Sequence, residues 1–297
     1  MKKIIIAIIL AVSSLSYAQK GEYIEHKNIS YTQSSDAYAK ERCKLDIRIP
    51  KDAKNFATLV YFHGGGISAG NKHYPFSIYA NTSKQPTYAV VTVAYRLSPK
   101  IKAHQAIDDA AEAIAWVINN IEKYGGDKTK VFVSGHSAGG YLSGMVAFAP
   151  KYLAKYGIKN TDLAGSILLS GQVTTHFRVR KDLGDTSPQF LPKIDELSIL
   201  GNASNKVSPV CLILGDRRIE FPERVEENEL LYSVVRKLNS GYIEFFELQG
   251  LTHGSVAYGY APITEAFMDR VLAKDFTFPD IKKKAKKAKV KKENATK

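Results

Sequence analysis

In Gly135-His136-Ser137-Ala138-Gly139 a hydroxyl is framed by glycines, directly after the apolar run Val131-Phe132-Val133 and before a helical run. A tight strand-to-helix bend calls for glycine on both flanks, because a side chain there would clash with the returning backbone. Such a bend lifts the Ser137 hydroxyl above the strand ends and aims the free N–H groups of the next helix at any oxyanion formed beside it. The chemistry this suits is nucleophilic attack of serine on a carbonyl. Upstream, Leu59-Val60-Tyr61-Phe62 runs into His63-Gly64-Gly65-Gly66. Consecutive glycines leave backbone N–H groups open to a bound carbonyl oxygen, which is how an oxyanion hole is built from main chain.

The elements that must position these groups follow from patterning. Cys43 to Ile49 alternates apolar and polar residues, as a half-exposed strand does. Thr58 to Phe62, Ala89 to Tyr95, Lys130 to Ser134, Ala164 to Leu169, Pro209 to Leu214 and Tyr242 to Leu248 are short runs of the kind that form buried strands. Between them Ile107, Ala110, Ala111, Ile114, Val117, Ile118 and Ile121 recur at helical spacing, with Gly125-Gly126 as the stop. Further helical patterns cover Ala138 to Ala149, Arg224 to Leu238 and Pro262 to Lys274. Alternating strands and helices predict an α/β fold with a mostly parallel sheet and helices on both faces, since parallel strands need crossover connections. Gly171 to Val207 has no clear period, and a loop of that length is expected to be a small cap or lid over the site.

Four stretches in this order resemble the α/β-hydrolase serine esterases of the hormone-sensitive-lipase and acetyl-esterase type: His63-Gly64-Gly65-Gly66, Tyr95-Arg96-Leu97-Ser98-Pro99, Ala106-Ile107-Asp108-Asp109-Ala110 and the Ser137 bend. The resemblance runs from about Asp46 to Leu272. It implies an α/β-hydrolase fold, a serine carboxylesterase activity, and backbone N–H groups of Gly65, Gly66 and Ala138 as the oxyanion donors. The order nucleophile, acid, histidine places the base after the last strand, and of seven histidines only His253, in Gly250-Leu251-Thr252-His253-Gly254, lies there. Neutral imidazole takes and returns a proton near neutral pH. His136, His63 and His104 read as packing or hydrogen-bonding groups; His26, His73 and His176 carry no signal, although His73 and His176 could line the pocket.

The acid departs from the family pattern. Relatives of this type place Asp or Glu three residues after the glycine that ends the second-last catalytic strand, and here Gly215 is followed by Asp216, Arg217 and Arg218. Arginine cannot orient a histidine. Glu220 is the favoured acid, its longer side chain reaching back toward His253; Asp216 is the alternative, and a Ser-His dyad is the third reading.

Charge and composition narrow the classes further. With 44% hydrophobic residues the chain can bury a large core, which excludes a mainly disordered protein. The formal charge of +13 suggests a binder of nucleic acid or anionic surfaces. Lys2 and Lys3 carry two of these units, and Lys282–Lys297, nine lysines and one glutamate, carries eight, which leaves +3 for residues 19–281. Met1 to Ala18 has the basic start, apolar Ile4–Val12 run and Ser16-Tyr17-Ala18 end of a signal peptide, so a secreted or periplasmic location is expected. That run is far shorter than the ~20 residues that span a bilayer, so no transmembrane segment is expected. Residues 19–281 are then the catalytic domain, with 171–207 as the cap, and 282–297 a solvated tail able to bind anionic surfaces weakly. No Cys or His spacing suits a metal, and the chemistry needs no cofactor. Cys43 and Cys211 read as buried free thiols, although an exported chain permits a disulfide. The expected substrate is a small-molecule or carbohydrate ester with a short acyl group such as acetyl. A small amide or formamide hydrolase of the kynurenine-formamidase kind is one alternative, and a non-catalytic binding protein working through its basic tail is another. Oligomeric state is not legible.

Overall fold

The computed structural model describes residues 23–72, 87–238 and 242–276; the leader, His73 and the lysine tail lie outside them. Eight strands form one sheet: β1 (Tyr23–Ser30), β2 (Lys44–Pro50), β3 (Phe56–Phe62), β4 (Tyr88–Val93), β5 (Gly126–His136), β6 (Gly165–Leu169), β7 (Val210–Leu214) and β8 (Ile243–Glu247). Their spatial order is β1-β2-β4-β3-β5-β6-β7-β8. The β1/β2 and β2/β4 pairs are antiparallel, and every later pair is parallel. The helices are α1 (Ala37–Arg42), α2 (Gln105–Asn120), α3 (Ala138–Phe148), α4 (Lys151–Ala154), α5 (Phe177–Asp182), α6 (Arg224–Lys237) and α7 (Tyr260–Leu272). Among the described residues no helix is long and apolar enough to cross a membrane.

Successive strand residues enter different cores. Val60 and Phe62 of β3, Val131 and Val133 of β5, and Leu212 and Leu214 of β7 join α2, α3 and α6 on one face. Leu59, Tyr61, Phe132, Cys211 and Ile213 join α7 on the other. Covering both faces removes the polar positions from a strand, so these strands read in the sequence as solid apolar runs. Cys43 and Cys211 are buried in opposite cores, and both thiols are free.

The strand expected at Cys43 to Ile49 to be half-exposed is instead buried along most of β2. Its alternation is real, with Leu45, Ile47 and Ile49 in the core. The polar face meets partners rather than water: Asp46 accepts from the Asn28 backbone N–H at 2.7 Å and from Lys72 Nζ at 2.8 Å. A carboxylate paired in this way can be buried without the cost of an isolated charge.

The segment 171–207, expected above to be a cap, is folded rather than an irregular loop. Its helix α5 is tied to the loop after β4, where Asp182 Oδ2 accepts from Ser98 Oγ and from the Ala103 N–H, both at 2.9 Å. Tyr141 Oη donates to the Leu197 carbonyl at 2.6 Å. Inside the cap, buried Arg180 donates to Asp185 at 2.8 Å and to the Leu191 carbonyl at 2.5 Å.

Candidate active site

The chemistry-bearing residues stand just beyond the carboxyl ends of β3, β5, β6, β7 and β8, the rim where open parallel sheets hold their ligands. Ser137 follows β5 with φ 55° and ψ −116°, a left-handed conformation that only a tight elbow imposes on a non-glycine residue. Its N–H donates to the Leu169 carbonyl at 2.8 Å. The flanking glycines are forced by close approach. A Cβ on Gly139 would lie 2.0 Å from the Phe62 carbonyl oxygen, and one on Gly135 2.3 Å from Gly139. The elbow is thus pressed against the end of β3, where the glycine loop begins.

In that loop Gly65 has φ 106° and Gly66 φ 61°. The Gly65 carbonyl accepts from the N–H groups of Ser68 and Ala69, both at 3.0 Å, which turns the loop into a compact hook. Tyr95 holds it from below: Tyr95 Oη donates to the His63 carbonyl at 2.7 Å, and the two rings stack with centroids 4.3 Å apart. Arg96, next in that motif, is fixed by Asp109 of α2 through Nη2 to Oδ1 at 2.6 Å.

His253 lies on the loop after β8, with Nδ1 2.5 Å from Glu220 Oε1. The Glu220 side chain is fully buried. Its Oε2 accepts from Ser170 Oγ at 2.8 Å and from the Gly215 N–H at 3.2 Å, and its Oε1 from the Phe221 N–H at 2.8 Å. Burial alone would raise this carboxyl, but the His253 bond and charge, with the Phe221 and Ser170 bonds, carry it down to about 2. Asp216, the alternative acid, faces elsewhere. It takes Arg218 Nε on Oδ1 at 2.9 Å and the Gly250 N–H on Oδ2 at 2.8 Å, and the Arg218 pairing comes first among the causes that lower its pKa. Arg218, at the position where relatives of this type carry the acid, points outward with its side chain 71% exposed.

Ser137 and His253 are joined through His136. His136 Nε2 meets the His253 carbonyl at 2.7 Å, which makes that nitrogen the N–H donor, and the two rings are 4.8 Å apart. The Ser137 hydroxyl makes no hydrogen bond to His253 here, and such bonds commonly tighten only with substrate in place. Patterning does not single out three further residues of the site. Ser170, with φ 45°, bridges Glu220 to Arg224, whose Nη1 donates to the Ser170 carbonyl at 2.5 Å. Arg224 is buried and paired with Glu227 at 3.0 Å. Phe221 stacks on His253 at 4.0 Å and 17°, and Phe190 and Phe177 extend that aromatic row at 5.4 Å and 5.9 Å. No spacing rule marks them, because each gains its role from a chain reversal.

His176 is buried, so it does not line an open pocket. Its Nδ1 accepts from the Arg178 N–H at 3.1 Å to cap α5. Among the described residues no group of His, Cys, Asp and Glu could hold a metal ion. A cleft of about 570 Å³, lined by Tyr23, Lys54 and Glu265 among others, opens at the opposite strand ends and does not touch the site.

Burial, and next the charge of His253, lower His136 from 6.5 to about 4. Burial also lowers His176 well below 6.5. An unfolded histidine takes a proton near pH 6.5 and these folded ones do not, so unfolding binds protons on acidification and stability is lost as pH falls through 6.5 toward 4. His136 contributes on the order of 3 kcal/mol to that loss, at ~1.4 kcal/mol per unit. Glu220 adds to it lower down, between 4.5 and about 2. Thermal melts from pH 8 to 4 are expected to fall most steeply below 6.5, and less steeply in a His136→Gln chain. An equal slope in the two chains would remove His136 as a cause.

The sheet order, the crossover helices and the elbow at Ser137 are those of the α/β-hydrolase fold. Residues 59–196 match the family model described as the alpha/beta hydrolase fold. Among curated proteins the chain is similar to a carboxylesterase of Mycobacterium tuberculosis, 33% identical over 129 residues, covering 42% of this chain and 37% of that one. It is also similar to an ethyl acetate hydrolase of Pseudomonas putida, 34% identical over 91 residues, 31% of this chain and 29% of that one. The chain therefore spans well under half the length of these curated relatives. Among solved structures, a truncated carbohydrate esterase from gut microbiota superposes with a TM-score of 0.67 at 17% identity, covering 85% of this chain and 98% of that one. An esterase of Thermogutta terrifontis gives 0.65 at 19% identity, with 89% and 96% covered.

Proposed function

We propose that the protein is an exported serine carboxylesterase of short-chain esters, and the observation that carries this is the buried Glu220 on His253 Nδ1 beside the Ser137 elbow. Ser137 Oγ attacks the ester carbonyl while His253 Nε2 takes its proton. The imidazolium is held in place and stabilised by the ionised Glu220 on Nδ1. The oxyanion receives N–H groups of Gly65, Gly66 and Ala138. His253 returns the proton to the leaving alcohol, and water, activated by the same histidine, then cleaves the acyl-enzyme. The carboxylesterases and ethyl acetate hydrolase among the relatives support the reaction class, and the leader at Met1–Ala18 supports export.

The short-chain preference rests on the aromatic row. Phe221 covers one face of His253, and Phe177 lies 3.3 Å from where a Cβ on Gly66 would be, so flat rings border both the base and the oxyanion loop. A fluorophosphonate probe is expected to label the folded chain at Ser137, and absence of labelling would remove the nucleophile. In a panel of acetyl, butyryl and octanoyl 4-nitrophenyl esters, kcat/KM is expected to be highest for acetyl. Phe190→Ala is expected to raise octanoyl relative to acetyl about tenfold, the scale of a few methylenes of pocket space. An unchanged chain-length profile would show that the row does not limit the acyl group.

A further inference from the structure

Near the oxyanion loop residues 177–189 line an open hollow of about 490 Å³, whose lining includes Phe177, Arg178, Lys181, Thr186, Ser187 and Gln189. Arg180 and Asp185 also line it, but they neutralise each other at 2.8 Å, and Ser187 occupies Asp185 Oδ1 through its N–H at 2.8 Å. Three other arginines around the site have a carboxylate, Arg218 with Asp216, Arg224 with Glu227 and Arg96 with Asp109, while Arg42 donates to the Tyr95 and Gly70 carbonyls at 3.2 Å and 3.1 Å. Arg178 has no carboxylate among the described residues. Its sole side-chain hydrogen bond there is from Nη2 to Ser68 Oγ at 3.4 Å, and its Nε is buried with no acceptor. Lys181 on the same helix likewise has no acidic partner among the described residues.

A guanidinium with a desolvated Nε–H and no carboxylate beside it is costly unless something accepts from it, and its planar fork of donors matches a carboxylate. Ser68 and Phe177 tie the hollow to the reaction centre, since Ser68 follows the oxyanion glycines and Phe177 borders Gly66. We propose that this hollow is a subsite for a carboxylate on the ester substrate, with Arg178 as its main ligand and Lys181 as a supporting charge. The inference rests on the esterase reading and specifies its substrate class: esters whose acyl or alcohol part carries a negative charge.

The test compares matched pairs. For the acyl side the pair is 4-nitrophenyl butyrate and the 4-nitrophenyl monoester of glutarate; for the alcohol side it is acetylated glucose and acetylated glucuronate. In at least one pair kcat/KM is expected to favour the charged ester by about tenfold, the scale of one charge-assisted contact. Arg178→Gln is expected to collapse the charged-to-neutral ratio mainly through KM, and 0.5 M salt to shrink it. A neutral preference in both pairs, or a ratio that survives Arg178→Gln, overturns the subsite. Binding separates this from failure of the esterase reading. A Ser137→Ala chain is expected to bind glutarate or glucuronate about tenfold more tightly than the same chain carrying Arg178→Gln. Equal binding overturns the subsite, whereas that difference without turnover in the wild-type chain would sink the esterase reading alone.

Discussion

Ser137→Ala is expected to lower the hydrolysis of 4-nitrophenyl acetate by about 10⁴- to 10⁶-fold, the range seen when the nucleophile of a serine hydrolase is removed. The fold should survive the change. Ser137 enters its elbow at φ 55°, and alanine bears the same left-handed strain as serine, while the hydroxyl makes no hydrogen bond among the described residues that the structure would miss. Circular dichroism and the melting temperature are therefore expected to match the parent chain, with labelling by a fluorophosphonate lost. A variant that keeps its rate within tenfold would mean that another group attacks the carbonyl. The comparison also weighs the reading in which the basic tail is the working part, because that reading leaves Ser137 idle.

The second large effect separates the two carboxylates. Glu220→Gln keeps the volume of the side chain but replaces an acceptor-only group by an amide that no longer enforces the Nδ1–H tautomer or stabilises the imidazolium. A loss of about 10³- to 10⁴-fold in kcat is expected, as for other triads that lose their acid. Asp216→Asn is expected to stay within about tenfold. Asn still accepts from the Gly250 N–H, and what is lost is the pairing with Arg218, whose side chain is mostly in water. Equal losses in the two variants, large or small, would contradict the assignment of the acid to Glu220, and small losses in both would favour a Ser-His dyad.

How the chain brings Glu220 to His253 also marks the limit of the sequence. The N–H groups of Ile219 and Glu220 both donate to the Asp216 carbonyl, at 2.9 Å and 2.8 Å. That single turn sends Arg218 outward and swings Glu220 inward, and spacing from Gly215 cannot show whether such a turn forms. The elbow and the glycine loop were legible because their glycines answer to local backbone contacts. The central strands were legible because burial on both faces leaves unbroken apolar runs. β1 was not read at all: it is an exposed edge strand with a register shift between His26 and Ile29, so it has neither a solid run nor a clean alternation. Helix α5 spans only six residues and owes its place to Asp182 and to His176 at its start, too short for a period to show. Ser170 and Arg224 bond through a backbone carbonyl, a relation that residue type does not carry.

The anchoring of the cap bears on how a substrate arrives. Glu227 of α6, buried beneath the start of the cap, accepts from Thr174 Oγ1 at 2.6 Å and from the Val173 N–H at 3.3 Å, while Asp182 pins the far end of α5 and Tyr141 holds Leu197. Lifting the cap as one piece would break all of these bonds together and leave buried Glu227 with Arg224 as its remaining partner, so a trapdoor swing is costly. If the chain is the esterase proposed above, a cap fixed in this way predicts no activation at an oil–water interface, so the rate on a soluble ester is expected to show no jump once the ester passes its solubility limit.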